Sequence, residues 1–336
     1  MKFSQATTTF GWLVRDTFRQ SLASGICWIL LAVSLLAIGV CASAGVDGSQ
    51  PLAYPGESPD FLPRNAPDAR DPAKLKQSGV VAVSGELTLG FGAIRVPLAR
   101  DDRSAVHFLQ LLLAAGVADT LGLLLTLVWT AGFLPGFLDS RSVSVLLAKP
   151  APRWMLLAGK YLGVLAFVLL NAVLFVGGTW LALGLRTHVW DASYLYCIPL
   201  LLLHFAVFFS VSLLLAVFTR STVVCVFGSI LFWFVTWGLN YGRHALALSQ
   251  RLMPEGHFSS GLTWLVDACY WLLPKPADFG MLLYNALDAQ NHFGSIFDPQ
   301  TLHAIGFSFW LSALTSLAFT GYVLFLSGRR FATTDY

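Results

Sequence analysis

YLGVLAFVLLNAVLFVGGTWLALGL, residues 161–185, decides the fold: it runs from Lys160 to Arg186 without a single Asp, Glu, Lys or Arg. A helix needs roughly 20 apolar residues to cross about 30 Å of hydrocarbon, and this run exceeds that length. Working outward, the charge-free runs 20–46, 120–138, 192–219, 221–242 and 299–328 repeat the pattern. Only 120–138 falls one residue short, and it extends toward Ala114 if Asp119 sits among headgroups. The chain is 56% hydrophobic and 12% charged, whereas a soluble domain carries about 25% charged residues. Too few amphipathic helices flank the runs to bury them as a soluble core. The reading is an all-α polytopic membrane protein with six crossings.

The first run, 20–46, is far longer than the roughly 7–15 apolar residues of a signal peptide and is expected to be retained. Cys27, Cys41, Cys197, Cys225 and Cys269 show no CxxC spacing and fall mostly in hydrophobic runs. They are expected to be packed thiols rather than a disulfide framework or a metal site.

Charge orients the six helices. With both termini on the inner side, the inner segments hold Lys2, Arg15, Arg19, Arg141, Lys149, Arg153, Lys160, Arg220, Arg329 and Arg330 against Asp16, Asp139 and Asp335. That is +7 inside and −4 outside, which sums to the net +3 of the chain. The excess of Lys and Arg follows the positive-inside rule and implies both ends in the cytoplasm of an inner membrane. Facing anionic lipid, this basic excess needs no nucleic-acid partner.

The expected order begins with an interfacial helix at 8–22, with Phe10, Leu13, Val14 and Phe18 on one face and Arg15, Asp16, Arg19 and Gln20 on the other. Crossings follow at 23–44, 114–138, 156–185, 194–219, 221–242 and 304–327. The outer segment 45–106 starts proline-rich and ends in VVAVSGELTLGFGAIRVPL (80–98), whose alternation at Leu87, Leu89 and Phe91 predicts a small β-hairpin. The outer segment 243–298 contains GLTWLVDACYWLLPKPADF (261–279), too short to span before Pro274, and reads as interfacial or re-entrant helices.

Catalytic constellations are missing from the sequence. No histidine is followed by Glu, so there is no HExxH, and Trp154 stands where a phosphate loop ending at Gly159-Lys160 needs glycine. Neither a cofactor nor a metal is expected. The polar residues within the runs are Asn171, His204 and Asn240, with Asp119 at a boundary. Such groups are functional candidates by default, but Asn171 and His204 read better as hydrogen bonds between helices. Gly159 and Gly163 have GxxxG spacing, expected for close helix packing.

The segment between the second and third crossings carries the most information. Asp139 is a good N-cap for a short helix bearing Val143, Leu146 and Leu147, which Pro150 and Pro152 end. Arg153 and Lys160 then anchor the third crossing, their stems expected to snorkel past lipid. The product is a rigid cytoplasmic element, 139–153, able to dock on a partner.

Here the chain resembles a known family. LLAKPAPRWMLLAGKYLG (146–163) is similar to the Lys-Pro-x-x-Arg and Gly-Lys-Tyr segment of ABC-2 type transporter permeases. RDTFRQSL (15–22), YWLLPKP (270–276) and the terminal GRRF (328–331) fit the same pattern, so the likeness covers most of the chain. It differs in Asp139-Ser-Arg-Ser-Val, in Pro152 before Arg153, and in the length of 45–106. The resemblance implies a six-helix permease, usually of an exporter, that is not itself an enzyme. Its partners would be two separate ATPase subunits and a second permease copy or homologous permease, all within membrane lipid. Asp139, Arg141, Val143, Leu146, Leu147, Lys149 and Arg153 would form the ATPase-coupling element, and substrate would meet helices two and five and 261–279. The rival readings are a non-transporting membrane assembly factor and an ion-coupled carrier or membrane enzyme built on His204 and Asp119.

Overall fold

The computed structural model describes residues 3–47, 85–98, 102–137, 153–252, 260–287 and 308–333. Six helical stretches in it are long and apolar enough to cross a membrane: Gly25–Ala42, Ala105–Gly136, Trp154–Thr187, Ala192–Thr219, Thr222–Ala247 and Trp310–Thr333. The all-α reading of the sequence is the observed architecture.

Helix α1 (Phe3–Ala23) turns at Ser24 into α2 (Gly25–Ala42), the first crossing. A sheet follows from β1 (Gly45–Asp47), β2 (Gly85–Leu89) and β3 (Ile94–Leu98), antiparallel in the order β1-β2-β3. The β2–β3 hairpin is the predicted one, with Leu87 opposite Val96 and Leu89 opposite Ile94. Its turn needs positive φ at Gly90 and Gly92, and the Gly90 N–H donates to Ser43 Oγ (2.9 Å), fastening the hairpin to the end of α2. The strand β1 was not anticipated. At Gly45 a Cβ would stand 2.8 Å from Thr88 Oγ1, so any larger residue would force the Thr88 side chain or β1 to shift.

The second crossing starts earlier than charge suggested. Helix α3 (Asp102–Leu111) runs into a π-helical segment (Leu112–Gly122), then α4 (Leu123–Ala131) and α5 (Phe133–Phe137). Residues 102–106, assigned to the outer loop, and the stretch before 114 are therefore helix. Asp119 lies within the helix and is buried there. The wide turns are visible in Thr120 Oγ1, which donates to Ala115 O five residues back (3.0 Å).

The third crossing comprises α6 (Arg153–Ala172), a short π segment (Val173–Gly177) and α7 (Gly178–Thr187). A 3₁₀ turn (Ala192–Tyr196), N-capped by Asp191, leads into α8 (Cys197–Thr219). Helix α9 (Thr222–Leu252) continues past the expected end at 242, so residues 243–252 are helix rather than loop. Two short helices, α10 (Ser260–Leu272) and α11 (Pro276–Ala286), fill the place of the expected interfacial pair, and α12 (Phe309–Thr333) is the last crossing.

Helix α8 is the axis of the bundle. Leu127, Leu134, Leu156, Tyr161, Phe205, Phe208, Phe209, Leu213 and Phe331 form one core around it, and Tyr161 OH donates to Ala206 O (2.7 Å). A second core, toward the sheet end, joins Leu109, Leu113, Tyr194, Cys197, Leu201, Leu283 and Leu287. Two thirds of the crossing on α8 is buried (67%) against 17% for that on α9. All five cysteines are free, and four of them are buried, as packed thiols should be.

At the opposite end α1 packs along α6. A Cβ on Gly163 would stand 2.9 Å from Thr17 Oγ1 and 3.5 Å from Val14 Cα, so the glycine predicted to allow close packing does so against α1. Lys160 does not snorkel. It is 1% exposed, and its Nζ donates to Gln20 Oε1 (2.6 Å), whose Nε2 donates to Asp16 Oδ2 (3.0 Å).

Candidate functional site

Among the described residues, three histidine–aspartate pairs tie the helices together in the half of the bundle that carries the sheet. His107 Nε2 on α3 lies 3.2 Å from Asp191 Oδ2, the residue that caps the turn before α8. Deeper, His204 Nδ1 on α8 lies 2.5 Å from Asp119 Oδ1 in the π segment. At the far ends of α9 and α12, His244 Nε2 lies 2.7 Å from Asp278 Oδ1 on α11. Each pair joins segments distant in sequence, and in hydrocarbon or a dry interface such pairing removes the cost of an isolated charge.

The middle pair unites two residues that the sequence named separately. His204 forms the interhelical bond expected of it, with Asp119 as its partner. Its ring stacks on Phe279 of α11 (centroids 5.0 Å) and meets Phe208 edge-on (5.3 Å). With Nδ1 engaged, Nε2 remains buried without a hydrogen-bond partner among the described residues. Asn171 behaves differently from expectation. Its Nδ2 donates to Phe167 O of its own helix (3.0 Å), and Oδ1 is buried without a partner among the described residues. It lines an apolar cleft with Leu30, Val33, Ala118, Gly122 and Phe205.

The pair at Asp278 is the centre of a larger network, none of it legible beforehand except Asn240. The Asp278 carboxylate accepts from His244 Nε2, Tyr270 OH (2.8 Å), Asn240 Nδ2 (3.2 Å) and Ser312 Oγ. Its backbone N–H donates to Asn240 Oδ1 (3.1 Å). Burial acts to raise the Asp278 carboxyl, but the hydrogen bonds from His244, Ser312 and Tyr270 and the charge of His244 outweigh it, so it lies below the ordinary carboxylate value. Asp278 is 1% exposed, yet stays ionised through these donors.

Cations surround this network. Lys275 Nζ donates to Thr315 Oγ1 (2.5 Å) and sits over the rings of Tyr270 (4.5 Å) and Trp271 (4.7 Å). Burial, with the nearby charge of Arg243, brings its ammonium down to about 8, against the countering pull of Asp278. Burial and the charge of Asp278 push the Tyr270 phenol up. The Arg243 guanidinium also lies over the Tyr270 ring (4.0 Å) and pairs with Asp267 (2.9 Å). Four helices, α9, α10, α11 and α12, thus meet on one carboxylate. The sequence signal was faint: Lys275 and Asp278 sit in a proline-flanked stretch, PKPAD, that reads as surface.

Of the coupling residues, Asp139, Arg141, Val143, Leu146, Leu147 and Lys149 lie outside the described residues, and Arg153 opens α6. No group of three or more His, Cys, Asp or Glu able to hold a metal occurs among the described residues.

Compared with known proteins, residues 12–335 match the profile of a family described as "ABC-2 family transporter protein". No curated protein matches the chain.

Proposed function

This chain belongs to the ABC-2 transporter family, and from that premise we propose that it is an exporter's transmembrane subunit, driven through its 139–153 segment by separate ATPase subunits. The membership makes it a multi-pass membrane component of an ABC transporter. The finer reading is that two ATPases, on the cytoplasmic side, each receive one short helix carrying Val143, Leu146 and Leu147, with Asp139, Arg141, Lys149 and Arg153 about it. Closure of the ATPases on ATP would draw these elements together and rearrange the helices around a path between two permease copies.

The observation that carries the reading is the arrangement of its flanks. Phe133–Phe137 ends the second crossing and Arg153 begins the third, at the end of the bundle where α1 docks on α6. Arg19, Arg220, Arg329 and Arg330 belong to helix ends on that same side, and Arg330 covers the Phe218 ring there (5.4 Å). A basic end is the one expected to face the cytoplasm. A second permease copy is supported by α9, whose Phe227, Leu231, Phe234 and Tyr241 are all at least 60% exposed along one side.

The test is co-purification. Leu146→Asp combined with Leu147→Asp should abolish recovery of the ATPase subunit with the permease while the permease keeps its elution volume in detergent. Undiminished ATPase recovery overturns the coupling assignment. The Asp119–His204 pair favours one rival, an ion-coupled carrier, which predicts transport by the permease alone after the ATPase has been lost.

A further inference from the structure

The second and third crossings both leave the α-helical pattern beside one cleft. Two π segments occur among the described residues, Leu112–Gly122 and Val173–Gly177. Val117, Ala118 and Gly122 of the first and Phe175 of the second line the same cleft, to which α2 contributes Leu30, Val33 and Ser34. Such turns are rare and concentrate at functional sites, so two of them meeting at one cavity set it apart from a packing defect. The cleft holds about 80 Å³, several times the roughly 10–15 Å³ that one water needs. Asn171 lines it halfway along the third crossing, Trp154–Thr187, and so stands roughly 15 Å from either end of the hydrocarbon. The mouth lies beside α2, where Val33 is exposed to the bilayer while Leu30 and Phe205 behind it are buried.

Among the described residues, three polar side chains line this apolar cleft, and all three spend a donor on their own helix. Ser34 Oγ donates to Leu30 O (3.0 Å), Thr126 Oγ1 to Gly122 O (2.6 Å) and Asn171 Nδ2 to Phe167 O (3.0 Å). The hydroxyls have only acceptor capacity left. Asn171 Oδ1 is buried without a partner among the described residues. A lipid tail fills apolar space but carries no donor, and a headgroup does not reach the middle of the bilayer. A cation would donate, but no acidic side chain among the described residues lines the cleft to offset its charge. We propose that the cleft is a binding site for a small, uncharged, mostly apolar molecule that donates one hydrogen bond, from O–H or N–H, to Asn171 Oδ1. A dry acceptor left unpaired is costly, so its satisfaction favours a donor-bearing molecule over an equally apolar one without a donor. The site is complete within one chain. It is therefore distinct from a substrate path between two permease copies and stands independently of the coupling reading above.

The probes are a diazirine-bearing alkylphenol and its methyl ether, nearly equal in apolar bulk and differing in the one donor. Full-length protein in phospholipid nanodiscs is photolysed with each, at equal concentration in the membrane, and labelled peptides are identified by mass spectrometry. In the wild type, label should fall on peptides holding residues 30–34, 117–126 and 168–175. The phenol should label them about fivefold more than the ether, the scale of one hydrogen bond to a buried group. Asn171→Leu, of similar volume, should bring the phenol down to the level of the ether and leave the ether as it was. Val33→Phe, which fills the mouth, should lower both about tenfold on these peptides by displacing apolar volume worth a methylene or two. Labelling around Phe227 and Leu231, on the exposed side of α9, should not change in either variant. Equal labelling by phenol and ether in the wild type means lipid-like filling only and overturns the site. A phenol preference that survives Asn171→Leu overturns it too. Val33 faces the bilayer, so Val33→Phe tests the site even if Asn171→Leu does not fold: undiminished labelling of the three peptides overturns it. None of these readouts involves the ATPase, and failure of the co-purification test leaves them unaltered.

Discussion

Both ends of the bundle bury a charge completely, and they do so in opposite ways. Lys160, at the α1 end, and Asp278, at the sheet end, are each 1% exposed. Lys160 meets Gln20, whose own side belongs to the surface of α1, and through it Asp16. Asp278 meets His244, Tyr270, Asn240 and Ser312, all of them buried. The difference lies in the fate of the partners. If Lys160 is removed, Gln20 turns to water. If Asp278 is removed, its partners stay dry. Burial of a charge alone does not tell how much a fold depends on it; the burial of its partners does.

The largest effect is therefore expected from Asp278→Ala. Breaking a buried charge network from its centre typically costs about 3–5 kcal/mol, because the orphaned groups keep their desolvation cost. Unfolding in mixed detergent, followed by far-ultraviolet circular dichroism, should show a correspondingly lowered midpoint. A loss below about 1 kcal/mol would mean that water reaches the network after all, and the contrast between the two ends would collapse.

Why one anchor was foreseen in part and the other not at all is a matter of what sequence periodicity encodes. The six crossings were legible because hydrocarbon forbids charge over a fixed length, so gaps between charges mark them directly. That rule misled twice, at Asp119 and Arg243, where a charge lies within a helix because it has found a partner: His204 for one, Asp267 for the other. Both partners are distant in sequence, and nothing in one chain indicates which helix faces pair. The hairpin at 85–98 was readable from its alternation, while β1 was not, since three residues carry no period. Gly163 was readable as a packing site but not its partner α1. At the candidate site, His204, Asp119 and Asn240 stood out as polar residues in or beside apolar runs. Asp278, Lys275 and Tyr270 did not, because charges close to prolines look solvated until four helices are folded around them.

A smaller effect, with a definite sign in pH, belongs to Lys275. Its folded ammonium titrates near 8, below its ordinary 10.5. Below pH 8 both folded and unfolded chains hold the proton, and the penalty of burying the charge is fully present. Between 8 and 10.5 the folded chain releases it first, so the unfolded chain binds more protons and stability rises with pH. Tyr270, shifted upward from 10.0, acts in the opposite sense only above that value. Measured from pH 8 to 10, the wild-type protein should gain stability relative to Lys275→Met. A constant difference across that range would show that Lys275 is solvated and that the cations around Asp278 belong to the surface.

The smallest effect is expected at the other end, from Lys160→Met. Methionine matches the volume and flexibility of the lysine stem and removes the buried charge along with its desolvation cost. Gln20, on the exposed side of α1, regains water as a partner. The close approach of α1 to α6 at Gly163, the Phe18–Phe167 edge contact (5.3 Å) and the Thr17 packing all remain. The unfolding midpoint should therefore move by less than about 1 kcal/mol in either direction. A loss as large as that of Asp278→Ala would place Lys160 in a sealed network of its own and make the two ends alike. A neutral result leaves α1 held by shape and Asp278 held by charge.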